Sequence, residues 1–137
     1  MGLLHSMKIL HRDIKSANVF LDRNGAALLG DLNVSKVAKQ GMLQTQTGTP
    51  YYASPEVWND LPYDTSSDIW SLGCVFYEVI ALHPPFRAND MEGLGKKVVG
   101  GRFKRLPEHY DPELCKLITS MIKVDPKERP SCAQILD

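Results

Sequence analysis

Two periodicities divide the chain: a brief alternation near the start, then a series of helical stripes. Leu3, Leu4, Met7 and Ile9 are apolar within Met1 to Ile9 and predict the last turns of a helix. No capping residue opens that helix, so the chain is expected to be cut at this end. Val19-Phe20-Leu21 predicts a strand, Asp22-Arg23-Asn24-Gly25 a turn, and Ala26 to Leu29 the returning strand of a hairpin. Gly25 suits a turn position with positive φ. From Val34 to Tyr52 the pattern is polar and without period, which predicts a long functional loop. Asp68 to Leu82 is apolar on nearly every face and predicts a helix buried on all sides, ended by His83-Pro84-Pro85. Asp90 to Val99 predicts a weaker helix, interrupted by Gly93 and Gly95. Leu114, Leu117, Ile118, Met121 and Ile122 lie on one stripe of a helix over Pro112 to Val124, which Asp125-Pro126 stops. Ser131 and Gln134 form a capping box for a last helix, barely one turn old at Asp137.

These elements make a mainly α chain with a short β-hairpin. Its 137 residues suit one domain or one large lobe, and a hydrophobic share of 43% supports a packed core. Lys+Arg 16 balance Asp+Glu 16, so no basic field argues for nucleic acid or an anionic membrane as partner. Any phosphate must be held by a local site. Cys74, Cys115 and Cys132 form no C-x-x-C pair and are odd in number, which argues against a disulfide framework or a zinc site. Cys74 reads as a small core residue, and a reducing, cytoplasmic setting fits all three. Met1 to Leu10 is too short for a signal peptide or a membrane span.

The chemistry concentrates in His11-Arg12-Asp13, Lys15, Asn18 and Asp31-Leu32-Asn33, with Ser54-Pro55-Glu56 further on. A hydroxyl nucleophile needs a carboxylate to orient it and accept its proton, and Asp13 supplies one. Lys15, two residues on in an extended segment, points the same way and can neutralise charge on a phosphoryl group. Asn18 offers an amide oxygen and Asp31 a carboxylate, both hard ligands suited to Mg²⁺. A hairpin separates Asn18 from Asp31 in sequence and can reunite them in space. Taken singly, each residue reads as a turn former or a solvated charge. The joint spacing H-R-D-x-K-x-x-N, then G-D, then S-P-E, is what points to phosphoryl transfer from ATP.

Over nearly its whole length the sequence resembles the C-terminal lobe of eukaryotic protein kinases. The likeness rests on His11 to Asn18, Gly30 to Asn33, Gly48 to Tyr52, Ser54-Pro55-Glu56, Asp68 to Gly73 and Arg129-Pro130. Asn18 to Asp22, Gly48 to Glu56, Ser67 to Tyr77 and Pro84-Pro85-Phe86 carry a narrower resemblance to the NIMA-related serine/threonine kinases. The resemblance implies a partial kinase domain over residues 1–137, cut at both ends, with the N-terminal lobe absent. It implies Asp13 as catalytic base, Lys15 as the phosphate-steadying cation that favours serine or threonine acceptors, and Asn18 and Asp31 as holders of Mg²⁺ with ATP. Thr49 is implied to bond near Asp13 and Lys15 and help seat the acceptor hydroxyl. Glu56 and Arg129 are implied to form a buried ion pair. Asp68 is implied to cap the buried helix and anchor the backbone around Asp13. Arg12 is implied to receive an activation-loop phosphate on Thr45, with Thr47 as second choice. Protein substrates and ATP are the implied partners; oligomeric state stays open.

The pattern departs from the family at Leu32 and Asn33, where Phe and Gly are usual, at Ser16 for Pro, and at Ser54 for Ala. Asn33 tolerates positive φ better than most residues and the metal ligand is intact. The 137 residues hold no G-x-G-x-x-G loop, no strand lysine of the V-A-I-K type and no partner glutamate. These residues alone are therefore expected to bind ATP weakly and turn over little. The alternative is a kinase-derived module that binds partners without catalysis.

Overall fold

A computed structural model of the chain describes residues 1–30 and 49–137. The expectations for Asp31, Leu32, Asn33, Thr45 and Thr47, and for the long loop from Val34 as far as residue 48, lie outside the described residues. The described residues form α1 (Gly2–Ser6), β1 (Val19–Leu21), β2 (Ala27–Leu29), α2 (Pro55–Trp58), α3 (Thr65–Ala81), α4 (Met91–Gly100), α5 (Pro112–Met121) and α6 (Cys132–Leu136). Short 3-10 turns cover Ser16–Asn18 and Pro126–Glu128. The chain is thus mostly helical with one two-stranded antiparallel sheet.

The hairpin pairs Val19 with Leu29, Phe20 with Leu28 and Leu21 with Ala27. Its turn is an Asx turn. Asp22 Oδ1 accepts from the N–H groups of Asn24 and Ala26 at 2.8 and 2.9 Å, and Gly25 sits at φ +81°. Ala26 is spent on that turn, so β2 starts one residue later than the sequence pattern suggests.

The central helix is α3. Trp70, Cys74 and Tyr77 are buried along it, with Phe86, Leu94, Val98, Ile118 and Ile122 completing the core. Trp70 stacks on Phe86 at 5.5 Å, while Tyr77 and Phe86 each meet Phe103 edge-on. Each such buried side chain contributes roughly 1.5–3 kcal/mol by leaving water. α5 crosses α3 at Gly73, where an added Cβ would meet Met121 Cβ at 2.8 Å. On the other side α2 packs against α4, with Gly95 admitting the Trp58 ring.

Three expectations are corrected here. The N-cap of α3 is Asp64, whose side chain accepts from the Ser66 N–H; Asp68 lies inside the first turn. Five successive residues from Asp64 to Asp68 include four more of the cap-forming type, so local sequence does not choose among them. α3 is also not buried all round: Val79 is 67% exposed, and Leu82, just past its end at φ +64°, is 87% exposed. Finally, α5 stops at Met121 rather than Val124. The Ile122 N–H turns to the Thr119 carbonyl, a tightened last turn that ends the α pattern. Asp90, Asp111 and Ser131 cap α4, α5 and α6, the last through a complete capping box with Gln134.

Candidate active site

The segment from His11 to Asn18 is a loop held from beneath by α3. Asp68 is fully buried, and its carboxylate takes four donors. The His11 N–H reaches Oδ2 at 2.9 Å and the Arg12 N–H reaches Oδ1 at 3.0 Å. The Tyr63 hydroxyl donates to Oδ1 at 2.5 Å, and His5 Nε2 stands 2.9 Å from Oδ2. Burial first, and then the Asp68 charge, push the Tyr63 phenol well above its usual range. Arg12 adopts φ +69°, a left-handed conformation costly for a residue with a side chain. Such a conformation persists only where the surroundings over-determine it. Here the flanking N–H groups of His11 and Arg12 are both fixed on one carboxylate.

His11 is buried and ties three pieces together. Its Nε2 lies 3.0 Å from the Gly30 carbonyl, and its Nδ1 accepts the Asp13 N–H at 3.2 Å. A carbonyl only accepts, so these partners assign the ring proton to Nε2. Gly30 in turn donates its N–H to the Asn18 carbonyl at 2.8 Å. An added Cβ here would meet the exposed Phe20 ring at 2.5 Å, so Gly30 lets that ring lie against the backbone. The residue before Asp31 is thereby joined to both His11 and Asn18.

Three of the sequence-selected polar groups come together. Lys15 Nζ lies 3.6 Å from Asp13 Oδ1. Asn18 donates its amide N–H groups to the Asp13 carbonyl at 2.8 Å and to Asp13 Oδ2 at 3.1 Å. Both interactions use the amide nitrogen, which leaves the side-chain oxygen as a hard ligand. No cluster of three His, Cys, Asp or Glu side chains suited to a metal occurs among the described residues. That donor set fits Mg²⁺, which takes few protein ligands and is completed by substrate phosphates and water.

The segment from Thr49 to Glu56 is bound to the same helix. Thr49 is exposed, and its hydroxyl makes no hydrogen bond to Asp13 or Lys15; its carbonyl accepts the Tyr51 N–H at 2.9 Å. The Tyr52 hydroxyl donates to Glu78 Oε2 at 2.5 Å and lies 2.8 Å from Ser16 Oγ. Burial and the Glu78 carboxylate push that phenol up to about 12. Ser71 Oγ donates to the Tyr52 carbonyl at 2.8 Å. Glu56 and Arg129 are in bidentate contact at 2.6 and 2.8 Å, and Ser67 Oγ adds a third bond to the carboxylate. Burial alone would raise the Glu56 carboxyl; the Arg129 and Ser67 hydrogen bonds outweigh it and hold the group below its usual value.

Sequence reasoning missed four of these partners. His5, Tyr63 and Glu78 lie outside the quoted motifs and Ser67 at the edge of one, and each acts through a contact made only in the folded chain.

The protein kinase domain family profile matches residues 1–137. The chain is 45% identical over 135 residues to the mouse serine/threonine-protein kinase Nek3, covering 97% of this chain and 26% of that protein. It is 44% identical over 137 residues to the probable serine/threonine-protein kinase nek2 of Dictyostelium discoideum, covering 97% and 33%. Against human Nek2 it is 44% identical over 131 residues, covering 94% and 29%. The chain therefore spans a third or less of the length of these relatives. No helix among the described residues is long and apolar enough to cross a membrane. With the His11 to Asn18 motif folded onto α3 and a match running from end to end, the chain belongs to the protein kinase domain family and is similar to kinases of the NIMA-related group.

Proposed function

We propose that these residues are the C-terminal lobe of a serine/threonine kinase domain that transfers a phosphoryl group from Mg-ATP to serine or threonine hydroxyls of protein substrates. The observation that carries this reading is the convergence of Lys15 and Asn18 on the Asp13 carboxylate, over a loop fixed by Asp68. Asp13 orients the acceptor hydroxyl and takes its proton. Lys15 steadies the negative charge that spreads over the transferred group. Asn18 and Asp31 hold Mg²⁺, which supplies charge neutralisation for the ATP phosphates when bound. Thr49 to Glu56 receives the acceptor segment, with Thr49 closing on Asp13 and Lys15 when substrate is present. Arg12 meets a phosphate on Thr45, or on Thr47, and so orders the loop. Three free cysteines, Cys74, Cys115 and Cys132, support a reducing, intracellular setting.

The test is phosphorylation of a generic serine/threonine substrate by the full-length protein with Mg-ATP. Asp13→Ala is expected to lower turnover at least roughly a hundredfold. Retained turnover in that variant overturns the reading. A polypeptide limited to the 137 residues lacks a glycine-rich loop and a strand lysine, which favours the second reading for it: binding without catalysis. Robust turnover by that polypeptide, abolished by Asp13→Ala, removes the second reading.

A further inference from the structure

Charge is unevenly placed along a chain whose formal net charge is zero. Between Arg87 and Arg105 lie six of the 16 basic residues and two of the 16 acidic ones, Asp90 and Glu92, so this segment carries +4 and the rest of the chain −4. Both acids are engaged at the start of α4. Asp90 caps the helix through the Gly93 N–H, and Glu92 pairs with Lys96 at 2.7 Å. Arg87, Lys97, Arg102, Lys104 and Arg105 are exposed and make no salt bridge among the described residues. The helix end explains one of them: a cation in the last turn, such as Lys97, faces the partial negative charge of the terminal carbonyls. It does not explain Arg102, Lys104 and Arg105, which follow Gly101, where α4 has ended.

The folded chain gathers these groups from three segments and fixes their backbone. The Lys97 ammonium donates to the Arg87 carbonyl at 2.5 Å, which joins α4 to the loop after Phe86. The Phe86 ring meets Phe103 edge-on at 5.7 Å, so the same loop meets the segment after α4. The Tyr77 hydroxyl, from α3, donates to the Lys104 carbonyl at 2.7 Å. Burial raises that phenol and the Arg87 charge draws it back down, which puts Arg87 within electrostatic reach of the same point. Phe103 and Leu106 pack against the core, and Arg102, Lys104 and Arg105 are left outside. Like charges held together in this way repel, and a negative partner relieves the repulsion without having to order the backbone that carries them.

The chemistry of the patch selects its occupant. Three of the five cations are arginines, whose planar forks match carboxylates in pairs. A nucleic-acid strand needs exposed rings on which its bases stack, and the rings of Phe86 and Phe103 pack inward. A bilayer needs apolar side chains to insert, and between Leu94 and Leu106 only Val99, at 38%, is an exposed apolar group. We propose that Arg87, Lys97, Arg102, Lys104 and Arg105 form a docking surface for a glutamate- and aspartate-rich segment of a protein partner. These five side chains supply none of the groups around Asp13. Under the kinase reading, on which this last role rests, the partner is a substrate tethered by its acidic segment while a serine or threonine elsewhere in it reaches Asp13. Such tethering lowers KM and leaves kcat alone.

The probe is a labelled peptide of alternating glutamate and glycine, titrated with the full-length protein and followed by fluorescence anisotropy. It is expected to bind at low salt and to weaken as salt rises. Arg102→Glu, Lys104→Glu and Arg105→Glu together are expected to weaken binding at least roughly tenfold. Lys116→Glu, Lys123→Glu and Lys127→Glu, exposed outside the segment and equal in their change of net charge, are expected to leave it within about twofold. No binding by the wild type, equal losses in the two triple variants, or tighter binding of phosphatidylserine vesicles or polyuridylate than of the peptide overturns the proposal. If the first triple variant unfolds earlier on heating, Arg102→Gln with Arg105→Gln replaces it; a smaller loss of binding is then expected, and no loss overturns the proposal. With a serine substrate fused to the same peptide, the first triple variant is expected to raise KM at least roughly fivefold at unchanged kcat, and to leave an untailed substrate unaffected. A wild type that binds the peptide but phosphorylates neither substrate refutes the kinase reading and leaves the docking surface standing. A wild type that phosphorylates both with equal KM and does not bind the peptide refutes the docking surface alone.

Discussion

Arg129 uses all five of its N–H donors. Nε bonds the Lys123 carbonyl, one terminal nitrogen bonds Glu56 and the Ser66 carbonyl, and the other bonds Glu56 and the Val124 carbonyl. Its guanidinium also lies 5.0 Å from the Trp70 ring centre. Removing it strands a buried carboxylate and three carbonyls, so Arg129→Ala is expected to cost about 3–5 kcal/mol in urea unfolding. Arg129→Lys recovers little, because one ammonium cannot reproduce the planar fork. The pH dependence follows from Glu56. Its folded carboxyl is held below the value of 4.5 for a free side chain, so its contribution is complete above that pH and disappears as pH falls through the lower folded value. Glu56→Gln is expected to remove this acid limb from a plot of stability against pH. Asp68 gives the next residue-scale prediction. Asp68→Asn replaces one acceptor oxygen by a donor facing two donors, at a cost above about 2 kcal/mol by urea unfolding. An ordinary N-cap would cost only about 1 kcal/mol, so a loss of that size would contradict the anchoring role. The motif spacing already singled out Asp13, Lys15 and Asn18, because short-range order within eight residues survives into the folded loop. It gave no sign of His5 or Tyr63, whose value lies in reaching one carboxylate from separate parts of the chain.

At the scale of elements, hydrophobic periodicity located the described strands and every described helix except α2, whose four residues are too few to show a period, and it misjudged the surroundings of α3. It found the hairpin, α4 and α6 to within a residue or two, since caps and turns there are made by neighbouring side chains such as Asp22, Asp90 and Ser131. The burial of α3 depends on what packs against each face, which no single-segment pattern records, and Val79 is accordingly outward-facing. The glycines separate the two kinds of information in an experiment. Gly73 costs about 1 kcal/mol of helix propensity relative to Ala, yet its bare backbone lets Met121 and Ile122 approach α3. Gly73→Ala is expected to destabilise by about 1–3 kcal/mol, because overpacking outweighs the propensity gain. Gly100 closes α4 with nothing within 4 Å of an added Cβ. Gly100→Ala is expected to stabilise by roughly 0.4–1 kcal/mol. Thermal or urea unfolding of the two variants checks both signs, and a common sign would mean that propensity alone governs these helices.

For the molecule as a whole, the outward apolar surface sets the behaviour of a polypeptide of these residues. Phe20, Leu21 and Leu28 project from a hairpin that has no third strand among the described residues, and Leu3, Val79 and Leu82 are exposed on the helical side. A two-stranded sheet leaves both its faces and its edges free to pair with other chains. The formal net charge is zero, so no long-range repulsion keeps copies apart. Apolar patches of this kind mark association surfaces. The 137-residue polypeptide is therefore expected to self-associate as concentration rises, read as an increasing weight-average mass by light scattering. Leu21→Thr with Leu28→Thr puts β-branched residues on the strands while removing apolar surface. That pair is expected to return the mass toward monomer without lowering the unfolding midpoint. A wild-type mass that stays monomeric at high concentration would mean that these faces cover one another; a pair of substitutions that destabilises would locate the same apolar groups in the core instead.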